Sequence, residues 1–133
     1  MALLIETLGL SEAPGLGAPG LGEAGLVPVP DRGCDIGRDG SEHGKAMACN
    51  ADPARAVNLH VRPAGSPTWR DALLLRDWLR DHPAGVAEYA ALKRRLSQRP
   101  HESIDEYAQA KTPWIHDVLA RADRWAMQSG WAP

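Results

Sequence analysis

The chain contains no phenylalanine, so five tryptophans and two tyrosines carry all of its aromatic bulk. Lysine is also scarce, at three residues against 12 arginines. Two cysteines, Cys34 and Cys49, are too few to staple a chain of this size. A disulfide framework is therefore excluded, and a reduced, cytoplasmic setting is expected. No apolar run approaches the roughly 20 residues of a membrane span. The opening Met1-Ala-Leu-Leu-Ile-Glu6 lacks a basic stretch and meets an acid too early for a signal peptide. A net charge of −2 offers no global attraction to nucleic acid or to anionic lipid. Gly-x-x-x-x-Gly-Lys-Ser/Thr and Gly-x-Ser-x-Gly are both missing, so kinase and serine-hydrolase chemistry find no support in the residues themselves.

What is present fits one domain with a single core: 133 residues, 44% apolar and 24% charged. Charge is unevenly placed. Residues 1–50 hold seven of the 17 acids but only three of the 15 bases, which leaves the remainder mildly basic. A locally cationic face of that kind suits a small phosphorylated ligand better than a duplex. Residues 9–25 are so dense in glycine and proline that helical periodicity is lost. Residues 1–25 are accordingly expected to form a flexible segment, and residues 26–133 the domain.

Within that domain, Leu26-Val-Pro-Val-Pro30 is at best an edge strand, because each proline removes a ladder donor. Residues 31–43 read as a polar, glycine-punctuated loop, and Lys45–Cys49 as a short strand. The clearest strand is Ala56–Val61, where Val57, Leu59 and Val61 alternate with Asn58 and His60. Ser66-Pro67 opens a helix whose buried side is expected to hold Trp69, Leu73, Leu75 and Leu79. His82-Pro83 starts a second helix, with Val86, Tyr89, Ala90, Lys93 and Leu96 on one face. Ser103-Ile-Asp-Glu106 has the form of a capping box. The apolar stripe that follows is interrupted by Thr112-Pro113, so it is either one kinked helix or two in succession. Gly130 fits a left-handed stop. The expected fold class is α+β, a small antiparallel or mixed sheet under three to four C-terminal helices.

A few polar residues sit where chemistry can use them. Lys93 and Lys111 fall on the inward sides of their helices, where a desolvated ammonium suits a phosphate; the plainer alternative is that both stems cover apolar surface at the rim. His60 faces the polar side of its strand, available as ligand, base or hydrogen-bond partner. Arg76 and Arg80, one turn apart, can grip an anion together or simply pair with Asp77 and other nearby acids. Cys34, His43, Cys49 and His60 have zinc-capable chemistry without paired spacing, so no metal site is assigned.

Taken together, Val57-Asn-Leu-His60-Val-Arg62, Gly65-Ser-Pro-x-Trp69-Arg, Leu75-Arg-Asp-Trp-Leu-Arg80, Tyr89-Ala-Ala-Leu-Lys93, Tyr107-x-x-Ala-Lys111-x-Pro-Trp and Trp125-x-x-x-x-Gly-Trp131 resemble the GrpB family. The resemblance implies a nucleotidyltransferase-like fold and, in many actinobacteria, the C-terminal domain of dephospho-CoA kinase, hence a link to coenzyme A biosynthesis. It also implies that His60, Arg76, Lys93 and Lys111 line a nucleotide or phosphate pocket. Arg80 joins that set from its place one turn beyond Arg76.

The sequence departs from the family pattern in its N-terminal half. Pro-Gly-Leu occurs twice, but the Gly-Ser-Thr turn and the following acidic, metal-binding strand are missing. Nucleotidyl transfer needs carboxylates that hold magnesium against a triphosphate. The expectation is therefore a truncated or divergent domain, accessory rather than catalytic. It would bind a nucleotide or phosphorylated small molecule, or pack against a kinase domain, with no resident cofactor. The alternatives are a phosphorylated-metabolite binder without chemistry, and a working ATP- and magnesium-dependent transferase drawing acids from Asp31, Asp35 or Asp52.

Overall fold

A computed structural model describes residues 2–4, 26–28, 34–50, 57–100 and 103–133. The chain divides into two compact units, Met1–Arg70 and Asp71–Pro133. The first unit carries the strands and the second nearly all of the helix, an α+β fold as the residue patterns imply.

In the first unit, strands β1 (Ala2–Leu4), β2 (Leu26–Pro28), β5 (Ala46–Asn50) and β6 (Val57–Val61) form a mixed sheet in the order β1-β6-β5-β2. β6 runs parallel to β1 and antiparallel to β5, which pairs antiparallel with β2. Proline-bearing β2 stands at an edge, where its missing donor costs no ladder bond. Register places Ala48 opposite Leu59 and Met47 opposite His60. Ala48 and Leu59 are buried and His60 is half-buried, so adjacent residues of β6 serve opposite faces.

Two findings depart from the sequence reading. Ala2–Leu4, within the segment expected to be flexible, pairs with β6. The supposed loop of residues 31–43 contains a hairpin, β3 (Cys34–Ile36) against β4 (Glu42–Gly44). Its turn is closed by backbone bonds from Gly37 N to Ser41 O and from Gly40 N to Gly37 O, and Asp39 Oδ1 accepts from Ser41 N. Three-residue strands are too short to show alternation, which is why they read as loop.

The second unit is built from α1 (Pro67–Asp81, which begins in the first unit), α2 (Pro83–Ser97), α3 (Ile104–Gln109) and α4 (Thr112–Ser129). Its core joins Leu74 and Trp78 of α1 to Val118, Leu119, Ala122 and Ala126 of α4, with Trp114, Ile115, Trp125 and Trp131 packed around it. Both sets follow the i, i+4 rule of a single helix face. The buried stripe of α1 is Leu73, Leu74 and Trp78, whereas Leu75 and Leu79 lie at the rim, one position away from the expected stripe. Val86 is likewise exposed, and Leu92 and Leu96 are the buried leucines of α2.

Pro113 separates two helices, and it does so at the second helical position of α4: Lys111, not Thr112, is the cap. Ser103 Oγ accepts from Glu106 N at 3.1 Å, one of the two capping-box bonds. Gly130 ends α4 at φ 71°, a left-handed conformation that any Cβ would strain. Among the described residues no helix is long and apolar enough to cross a membrane.

Gly85, in the first turn of α2, lies directly against the six-membered ring of Trp78, and a Cβ there would overlap the ring. Gly85→Ala is expected to destabilise the protein by about 1–3 kcal/mol, the usual range for overpacking a tight contact. Urea unfolding followed by circular dichroism checks this; an unchanged midpoint would contradict the packing.

Candidate anion-binding residues

The five candidate residues fall into three groups, each within one unit. In the second unit, Tyr89 and Lys93 lie four residues apart on α2. Tyr107 and Lys111 have the same spacing, running from α3 to the start of α4. Helical side chains lean toward the preceding turn. Each ammonium accordingly sits over a tyrosine ring, Lys93 at 4.5 Å from the Tyr89 centroid and Lys111 at 4.4 Å from that of Tyr107. Tyr89 in turn stacks on Trp114 at 4.8 Å, nearly parallel.

The Tyr89–Trp114 stack brings α2 against α4. Burial, then the charge of Lys93, pulls the Lys111 ammonium below its ordinary pKa. Burial, then neighbouring Tyr107, pushes the Tyr89 phenol up. Among the described residues neither ammonium has a carboxylate partner. Lys93 and Lys111 thus stand as cations without a counter-anion among the described residues, Lys111 being partly desolvated.

Arg76 and Arg80 behave differently. Arg76 donates from Nε and Nη2 to the two Asp77 oxygens at 2.7 and 2.9 Å, and Arg80 Nη1 reaches the same carboxylate at 3.3 Å. Trp131 Nε1 adds a fourth donor at 3.1 Å. The Arg76 contact, then the others outweighing partial burial, hold Asp77 below the usual carboxylate range. The two guanidiniums therefore close on an acid of their own helix, and the C-terminal tryptophan is tied to the same point.

In the first unit, His60 of β6 shares a cluster with three residues not singled out as a group by the sequence: Asp35 of β3, Lys45 just before β5, and Arg62 just after β6. Lys45 Nζ reaches Asp35 Oδ1 at 2.6 Å and Arg62 Nε bonds Asp35 Oδ2. Burial alone would raise the Asp35 pKa, but the hydrogen bonds and charges of Arg62 and Lys45 bring it below normal. His60 is pushed down by burial first, then by Arg62 and Lys45, with Asp35 opposing. The one signal that could have revealed this group is the polar i, i+2 pair His60 and Arg62; Asp35 and Lys45 lie ten residues apart, joined only by the hairpin.

Among the described residues no set of three His, Cys, Asp or Glu side chains is placed to hold a metal ion. Cys34 and Cys49 are free thiols. Of the acids proposed for a magnesium site, Asp35 is the described one, and both its oxygens are engaged by cations; Asp31 and Asp52 lie outside the described residues.

The His60 shift has a definite sign. Its folded pKa lies below the ordinary imidazole value of 6.5, so the folded state resists the proton that the unfolded chain accepts. The stability this contributes is complete above 6.5 and is lost as pH falls toward the depressed folded value. His60→Gln is expected to flatten that part of the pH–stability curve. Urea unfolding of both proteins between pH 8 and pH 5 (about one pH unit or more on each side of the ordinary value) checks it, and parallel curves would contradict the assignment.

The dephospho-CoA kinase of Mycolicibacterium paratuberculosis is 43% identical over 89 residues, which is 67% of this chain and 22% of that protein. The dephospho-CoA kinase of Mycobacterium leprae is 38% identical over 87 residues, 65% of this chain and 21% of that protein. A Deinococcus radiodurans protein named UPF0157 protein is 34% identical over 85 residues, covering 63% and 45% of the two chains. The matches thus span about a fifth of the length of the two kinases. The profile of the GrpB proteins matches residues 5–121, nearly the whole chain, and this makes the protein a member of the GrpB family.

Proposed function

We propose that this GrpB domain, with its nucleotidyltransferase-like architecture, is an accessory, non-catalytic module. In this reading it holds a nucleotide-like or phosphorylated anion at Lys93 and Lys111 and serves coenzyme A biosynthesis alongside a dephospho-CoA kinase domain in the cytoplasm. The observation that carries the reading is the pair of lysines over Tyr89 and Tyr107, with no carboxylate partner for either among the described residues. Such a pair binds anions without needing a metal, since the two ammoniums supply both charge and donors.

The kinase association rests on the relatives, whose names state that activity for proteins several times longer than the matched stretch. The cytoplasmic setting is supported by two free thiols. Catalysis is the weaker reading because of what surrounds Asp35. Magnesium-assisted nucleotidyl transfer uses carboxylate oxygens open to the metal, and those of Asp35 are each taken by a basic side chain.

Titration of the protein with ATP, with and without magnesium, tests this through the tryptophan fluorescence to which Trp114 contributes beside Tyr89. Metal-independent binding is expected. Lys93→Ala and Lys111→Ala should each weaken it about tenfold or more, the equivalent of one charge-assisted contact at about 1.5–3 kcal/mol. Magnesium-dependent binding that disappears in Asp35→Asn, with both lysine variants unaffected, would instead favour a working transferase. No binding at all would overturn the anion site and leave a packing role.

A further inference from the structure

The Asp35 cluster has more positive charge and more donors than its own residues use. Lys45, Arg62 and Asp35 are each well shielded, with side chains 12%, 13% and 15% exposed. Two cations share one carboxylate, and neither Lys45 nor Arg62 has a second acid among the described residues. The antiparallel register that pairs Ala46 with Val61 carries on to bring Lys45 across from Arg62. Like charges directly opposite one another are destabilising unless something negative lies between them. Asp35 cancels one charge and leaves the other uncompensated in a partly dehydrated place, where such an excess is felt more strongly than at an open surface.

The unused hydrogen-bonding groups point the same way. Arg62 Nη1 and His60 Nδ1 are shielded from solvent and have no partner among the described residues. Both residues come from one face of β6 and its extension, being two positions apart. Orphaned polar atoms of this kind are uncommon in folded proteins, and a bound ion or water is the usual explanation. With Asp35 occupying Arg62 Nε and one Lys45 donor, the groups left over are a guanidinium N–H, ammonium N–H groups and an imidazole nitrogen.

We infer that Lys45, Arg62 and His60, held side by side by Asp35, bind a phosphate-type oxyanion in the first unit. Phosphate matches the leftover groups better than other anions. Its unprotonated oxygens accept from Arg62 and Lys45. A hydrogen phosphate also has an O–H, so it can either accept from or donate to His60, whichever tautomer the ring adopts. Sulfate and chloride have no proton to give. Asp35 is a positioning residue here: its two oxygens hold the cations and it faces the anion with no contact of its own. The inference does not rest on Lys93 and Lys111, which belong to the other unit.

The test uses the full chain, with the imidazole resonances followed by heteronuclear NMR and His60 assigned from His60→Gln. Inorganic phosphate and, separately, methyl phosphate are added at constant ionic strength, with sulfate as the control. The expected result is a saturable shift of the His60 signals with phosphate and a much weaker effect of sulfate. A response to both phosphates would mean that the site takes the phosphoryl end of a larger molecule; a response to inorganic phosphate alone would mean that it takes the free ion. Arg62→Lys keeps the charge and removes the planar fork, and should cost about tenfold or more in affinity while the remaining spectrum stays native. Lys111→Ala should leave the His60 response within about twofold, a change worth well under 1 kcal/mol. The inference fails if neither phosphate moves His60, if Arg62→Lys binds as tightly as the unaltered protein, or if the response is lost in Lys111→Ala.

Discussion

The helical unit depends on where one indole is placed. Trp78 packs in the core with Leu74, Val118, Leu119, Ala122 and Ala126. His82 stacks on its ring at 4.4 Å, and the Arg121 guanidinium lies over it at 5.1 Å. Arg121 is itself held by Glu88 of α2 and Asp117 of α4. A single large side chain thus meets α1, α2 and α4, and the small residues Gly85, Ala122 and Ala126 are what make room for it. A chain without phenylalanine concentrates its packing in a few such rings, so each is more tightly constrained by its neighbours.

Once those helices are set, the basic residues divide into two kinds. Most ion-paired arginines of the helical unit lie at the surface and close on nearby acids, as Arg76 and Arg80 do on Asp77. Pairs this exposed add little stability. The three lysines are all half-buried, and each stands in one of the two cationic clusters. A compact ammonium on a flexible stem can be drawn partly out of water and remain available to an anion, which a guanidinium already forked onto a carboxylate cannot. Lysine scarcity is therefore informative: Lys93 and Lys111 sit over tyrosine rings, and Lys45 shares its one acid, Asp35, with Arg62.

The sequence patterns made much of this legible in local terms. Helix starts at Pro67 and Pro83, the cap at Ser103, the break at Pro113 and the stop at Gly130 follow from residue chemistry that acts within one turn. The edge placement of β2 follows from its proline. Less was legible where two faces compete. The buried stripe of α1 is centred on Leu74 and Trp78 because α4 packs there, and a run with leucine at 73, 74, 75 and 79 can rotate to several stripes at little cost in periodicity. The β3–β4 hairpin was hidden by its shortness.

The sequence by itself determined the helices and where they start and stop, the β6 strand, the family, and the unusual rarity of lysine, because each depends on residues that are neighbours along the chain. Only the tertiary structure decided which charges meet. The charge of Lys93 on α2 is felt at Lys111, which caps α4. Lys45 and Arg62 meet at Asp35 because β3 and the β5–β6 pairing converge there. Coulomb and hydrogen-bond energies fall off over a few ångströms in space, whatever the separation in sequence, so a set of residues as scattered as 35, 45, 60 and 62 becomes a cluster only after the strands have paired.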